Sequence, residues 1–151
     1  MRKYLVNGLA ILCLLGGIGV KASAQIYSDE TIIADIPYDF VVRDQTLPAG
    51  KYTFKVADDT NLNLLVLRSE GGKTAVFFQT LYVQANEPPR QTELVFDKVG
   101  DTYFLSQIWL EGSNTGDEVE KTKAERKLES EGMRSEHQSV MADAQRPESD
   151  R

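Results

Sequence analysis

Lys51-Tyr52-Thr53-Phe54-Lys55-Val56 decides the fold class of this chain. Tyr52, Phe54 and Val56 recur at every second position, with Lys51, Thr53 and Lys55 between them, which is the period of a strand with one face in a core and the other in water. Leu47-Pro48-Ala49-Gly50 precedes it as a tight turn, proline presetting one backbone angle and glycine freeing the next. Asp58-Asp59-Thr60-Asn61 follows as a second turn, because short polar side chains bond to nearby backbone amides.

Outward from this unit the pattern repeats. Upstream, residues 31–36 alternate with Ile32, Ala34 and Ile36 on one face; Pro37 cannot donate to a ladder and ends the run, and residues 38–42 continue extended. Downstream, residues 62–68 form a strand, Gly71-Gly72 a hairpin turn, and residues 73–84 a long strand. There the consecutive Val76, Phe77 and Phe78 predict a central strand covered on both faces. Pro88-Pro89 demands a loop, residues 92–99 and 102–110 are strands joined at Gly100-Asp101, and the aromatic-rich last run reads as interior. These seven runs predict an all-β domain over residues 25–111: an antiparallel sandwich of immunoglobulin-like or Greek-key type, with a small barrel as the alternative.

Beyond residue 111 the composition turns polar. Residues 112–116 read as a linker, Asp117 as the cap of a charged helix running to about Ser130, and residues 131–151 as a disordered tail. Three-apart pairs such as Glu118 with Lys121 and Arg126 with Glu129 support the helix, and Val119, Ala124 and Leu128 give it a thin apolar stripe that needs a surface to lie on.

At the other end, Arg2-Lys3, an apolar run from Leu5 to Val20 and Ala22-Ser23-Ala24 form the three parts of an export signal, with cleavage expected between Ala24 and Gln25. The run is shorter than the roughly 20 residues a bilayer-crossing helix needs. An exported chain, periplasmic or secreted, with no membrane span after signal removal is the expectation. Cys13, the only cysteine, leaves with the signal, so the mature domain rests on a core without disulfides. Loss of Arg2, Lys3 and Lys21 leaves 14 basic residues against 23 acidic ones, a net charge of −9 that argues against nucleic acid as a partner.

Ile36-Pro37-Tyr38-Asp39-Phe40 with Leu47-Pro48-Ala49-Gly50-Lys51-Tyr52, and Thr122-Lys123-Ala124-Glu125-Arg126 in the tail, resemble a group of small exported bacterial β-domain proteins without an assigned role. The resemblance spans about residues 32–128 and implies a natural single-domain module. It brings no catalytic residue to carry over.

Few residues carry chemistry. His137 is the only histidine and falls in the stretch read as disordered, so no catalytic histidine or cysteine constellation is expected, and neither is a cofactor. Carboxylate pairs for glycoside hydrolysis are sought at Asp35 and Asp39, Asp58 and Asp59, and Asp97 and Asp101. Asp59-x-Asn61-x-Asn63 followed by Glu70 has calcium-loop spacing, but Leu64 stands where that loop needs glycine, leaving Asp58, Asp59 and Asn61 as the metal candidates against a plain turn. Trp109 reads as core filler ahead of a ligand platform. Together these readings favour a non-enzymatic module that binds a protein or glycan in the envelope or outside the cell. The alternatives are a small carboxylate-dependent glycoside hydrolase and a calcium-dependent adhesive module.

Overall fold

The computed structural model describes residues 29–146, so the expected export signal and cleavage site lie outside the described residues. In chain order the elements are β1 (Thr31–Ile36), β2 (Phe40–Val42), β3 (Gln45–Leu47), β4 (Gly50–Asp58), β5 (Asn61–Ser69), β6 (Ala75–Gln84), β7 (Glu93–Val99), β8 (Thr102–Trp109), β9 (Thr115–Val119), α1 (Lys123–Ser130) and β10 (Ser135–Gln145). The alternation around Tyr52 lies within β4, and β1 has the bounds its sequence pattern gives.

The wall is an eight-stranded antiparallel barrel, the alternative named from sequence and not the sandwich placed ahead of it. Around the wall the order is β1-β4-β5-β6-β9-β8-β7-β10, and β10 returns to β1. The difference has a simple cause. The two strands that close the wall, β9 joining β6 to β8 and β10 joining β7 to β1, lie in the segments read as linker, helix start and disordered tail. Without them the remaining strands are an open sheet that has to fold over itself; with them every wall strand has two neighbours. β6 helps the closure by changing partner midway, pairing with β5 over residues 75–79 and with β9 over residues 80–84. The short β2–β3 hairpin adds to β8, β2 running parallel to its first half while β9 takes the second half of the same edge.

An eight-stranded barrel is just wide enough for side chains to fill. Ile32, Ile36, Phe54, Leu65, Leu67, Phe78, Leu94, Phe96 and Ile108 fill this one. Phe40 closes one end edge-on to Tyr52 and Phe96, at ring-centroid distances of 5.1 and 5.5 Å. Around it the recurring sequence strings lock together: Asp39 Oδ1 accepts from Ala49 N at 3.0 Å, and the Tyr52 hydroxyl donates to Pro48 O at 2.7 Å.

Three further expectations need correction. β6 is not covered on both faces: Val76 and Phe78 are inside, but Phe77 is half exposed, because one wall of a barrel has a single interior side. Asp117 does not cap a helix. It sits on β9 facing inward, where Thr80 Oγ1 donates to its Oδ1 at 2.7 Å and burial pushes its carboxyl above the usual range. The helix begins later, with Thr122 as N-cap accepting from Glu125 N at 3.0 Å. Residues 135–145, read as disordered, form the strand β10, which also puts β9, α1 and β10 into the same domain as the preceding strands.

Candidate functional site

Outward-facing residues of β10, β7 and β8 form three cross-strand rows. The pairing gives His137, Asp97 and Phe104 in the first, Ser139, Val95 and Gln107 in the second, and Met141, Glu93 and Trp109 in the third.

Helix α1 packs over the first row. Thr122, at the end of the link from β9, starts the helix so that Glu125, one turn in, is aimed at β7; Glu125 and Asp97 are only 2% and 3% exposed. Lys121 Nζ lies 3.6 Å from Glu125 Oε1 and 3.9 Å from Asp97 Oδ2, and it also bonds Glu129, so one ammonium faces three carboxyl groups. His137 Nδ1 stands 2.7 Å from Asp97 Oδ1. Burial, more than any other cause, pushes the Glu125 carboxyl up to about 7; the Asp97 and Glu129 charges and a hydrogen bond to Asp97 add to it, while Lys121 opposes. A proton kept on Glu125 relieves the repulsion that its charged form would feel from the neighbouring carboxyl groups. The hydrogen bond to Glu129, ahead of the other causes, holds Lys121 above the ordinary lysine range.

This pair is not arranged for glycoside hydrolysis. That chemistry places two carboxyl groups about 5–9.5 Å apart across a sugar, whereas Asp97 and Glu125 are both sealed beneath a helix, with Lys121 Nζ 3.9 and 3.6 Å from their oxygens. Nor is there a relay to a nucleophile: Ser139 follows His137 on the same face of β10, and no hydrogen bond joins them among the described residues. His137 itself, expected in a disordered tail, is held on a strand because the strand closes the barrel.

The second row is open. Val95, Gln107 and Trp109 floor a groove of about 380 Å³, with Ala85, Glu87 and Pro89 of the β6–β7 loop on one side and His137 and Ser139 on the other. That loop is tied down by Ala85 N donating to Asn114 O at 2.9 Å and Gly112 N donating to Pro89 O at 3.0 Å. Trp109, expected in the core, is buried on the outside of the wall instead, its indole Nε1 donating to Gln107 Oε1 at 2.9 Å. Gly116 of β9 is what lets it lie flat: a Cβ there would come within 2.5 Å of the ring and 2.9 Å of Ile108 O.

The metal candidates turn inward on their own loop. Asp58 Oδ1 accepts from Thr60 N at 2.8 Å and Thr60 Oγ1 at 2.7 Å, which holds its carboxyl below the usual range, and Asn61 Oδ1 accepts from Asn63 N at 3.3 Å. Asp59 is exposed beside them. Among the described residues no group of three acidic, histidine or cysteine side chains is placed to hold a metal ion, and no helix is long and apolar enough to cross a membrane.

The cluster beneath α1 was missed for one reason. Asp97, Glu125 and His137 come from three elements, and the sequence pattern gives the strand of Asp97 and the helix of Glu125 but not the strand β10 that holds His137. Thr122-Lys123-Ala124-Glu125 is a capping-box spacing, and it was the one local signal that marked the true helix start. No family model, no curated protein and no solved structure matches this chain.

Proposed function

We propose that this chain is an exported, non-enzymatic barrel module that binds a protein or glycan partner in the envelope or outside the cell, and that contact is made on the outer face of β10, β7 and β8. The observation that carries this reading is the groove over Val95, Gln107 and Trp109, where apolar floor and hydrogen-bonding side chains lie side by side on a wall whose interior is already filled. Binding sites commonly join a largely apolar surface to a few placed polar groups, at volumes of about 300–1,000 Å³. The signal-like pattern of residues 2–24 supports a location outside the cytoplasm, where such a partner would be met. The hydrolase and calcium readings have less support, the facing acids being sealed and the Asp58 turn being satisfied by its own backbone.

A photo-crosslinking residue placed at Ser139 in the native host tests this, with a second at exposed Lys73, in the β5–β6 turn, as control. The reading expects a discrete adduct at position 139 that is missing at 73. Equal labelling at both positions, or none at 139, would refute it.

A further inference from the structure

The barrel wall has an open edge along the second half of β10. β10 pairs with β7 over residues 135–141 and with β1 over residues 142–145, so its second half has a neighbour on one edge only. On the β7 side the last backbone bond is Ala142 N donating to Thr92 O at 2.9 Å. Strand residues alternate the edge to which they turn N–H and C=O, so Ala144 presents both groups to that same edge, beyond the point where β7 ends. A groove of about 990 Å³ runs there, between Met141 to Ala144 on one bank and Thr92, Glu111 and Gly112 on the other.

Glu30 closes the end of this groove. It is 4% exposed, its Oε1 lies 3.5 Å from Arg146 Nε, and its Oε2 is buried with no hydrogen-bond partner. Buried carboxylate oxygens are normally paired, and one left over costs stability. Glu111 and Asp143 line the same groove, so three carboxylates face it against Arg146.

We infer that this gap takes an extended, basic peptide segment of a partner protein, which adds as a strand along the free edge at Ala144 and sets a lysine or arginine against Glu30. Main-chain bonds to Ala144 supply affinity and the carboxylates select the charge, as in other strand-addition complexes. The inference does not depend on the groove over Trp109, which lies on a different part of the outer face. Unpaired edges are normally blunted by lysine, proline or a covering element. Here the edge residue Ala144 is small and the carboxylates of Glu30, Glu111 and Asp143 outnumber the guanidinium of Arg146, an arrangement that repels acidic strands and admits basic ones.

The test uses an acetylated and amidated hexapeptide alternating lysine and valine, with a glutamate and valine peptide as control, titrated into the mature chain by NMR. The lysine peptide is expected to bind in the millimolar range or tighter and to slow hydrogen exchange at the Ala144 amide. Glu30→Gln is expected to weaken binding by about tenfold, as befits loss of one charge-assisted contact. Ala144→Pro is the second variant. It removes the free N–H while leaving the bonds to β1 in place, and it is expected to abolish binding with the native spectrum otherwise preserved. Equal binding of both peptides, full affinity in Ala144→Pro, or an Ala144 amide already protected in the chain alone would each overturn the inference.

Discussion

Replacing Glu125 by glutamine isolates the charge state of the cluster beneath α1. The carboxyl is raised from about 4.5 to about 7, chiefly by burial. A raised acid pKa means that the folded chain holds a proton the unfolded chain releases, so stability is greatest below the unfolded value and declines as pH climbs from about 4.5 to about 7. At roughly 1.4 kcal/mol per unit the full effect is at most about 3 kcal/mol. Glutamine keeps the size of the protonated acid and carries no charge to bury. The variant should therefore match the parent near pH 4.5 and exceed it at pH 8 by as much as about 3 kcal/mol, or about 10 °C in Tm for a domain of this size. Urea unfolding followed by circular dichroism, with both proteins measured at pH 4.5, 6 and 8, reads the double difference directly. A gap between variant and parent that is the same at all three pH values would refute the reasoning, since it would place the effect of residue 125 in packing and not in ionisation.

Three other outcomes follow from the fold. Gly116→Ala should cost about 1–3 kcal/mol in urea denaturation, because its Cβ would meet the Trp109 ring at 2.5 Å and a backbone oxygen at 2.9 Å; a change within 0.5 kcal/mol would show that the indole moves aside freely. Truncation after Glu131, which removes β10, should leave a chain without cooperative unfolding, and a folded truncated domain would contradict the closure described above. Millimolar calcium should leave Tm unchanged, because the Asp58 and Asn61 oxygens already accept backbone bonds; a rise of several degrees would restore the calcium reading.

Much of the wall was legible in the sequence because its strands carry large alternating side chains between glycine, proline and Asp-Asn turns. β4 and β1 read directly from Tyr52, Phe54, Ile32 and Ile36, and the Gly71-Gly72 turn from residues that adopt positive φ of 83° and 69°. β10 was hidden by its small side chains. Val140, Ala142 and Ala144 fall on one face but add little apolar area, Met141 between the first two breaks the polar alternation, and the strand is held by backbone bonds to β7 and β1 that come from distant parts of the chain. β9 was hidden by Gly116 and Asp117, which read as linker and cap, although one makes room for an indole and the other bonds a threonine inside the wall. The acid cluster was hidden by the missing strand β10 and by the late start of the helix. Its sequence signal was the capping-box spacing at Thr122 and Glu125, and nothing local tells that Glu125 reaches across to Asp97.

The adjacency of β1 and β10 bears on how such a chain comes to be folded. Thr31 pairs with Gln145, so the wall joins the earliest described strand to the latest, and loop-closure entropy must be met across nearly the entire domain before that seam is rewarded. A ribosome or a translocation pore still holding the C-terminal segment withholds the strand that both β1 and β7 need. The wall thus stays open, and the chain threadable, until β10 is free to pair with both.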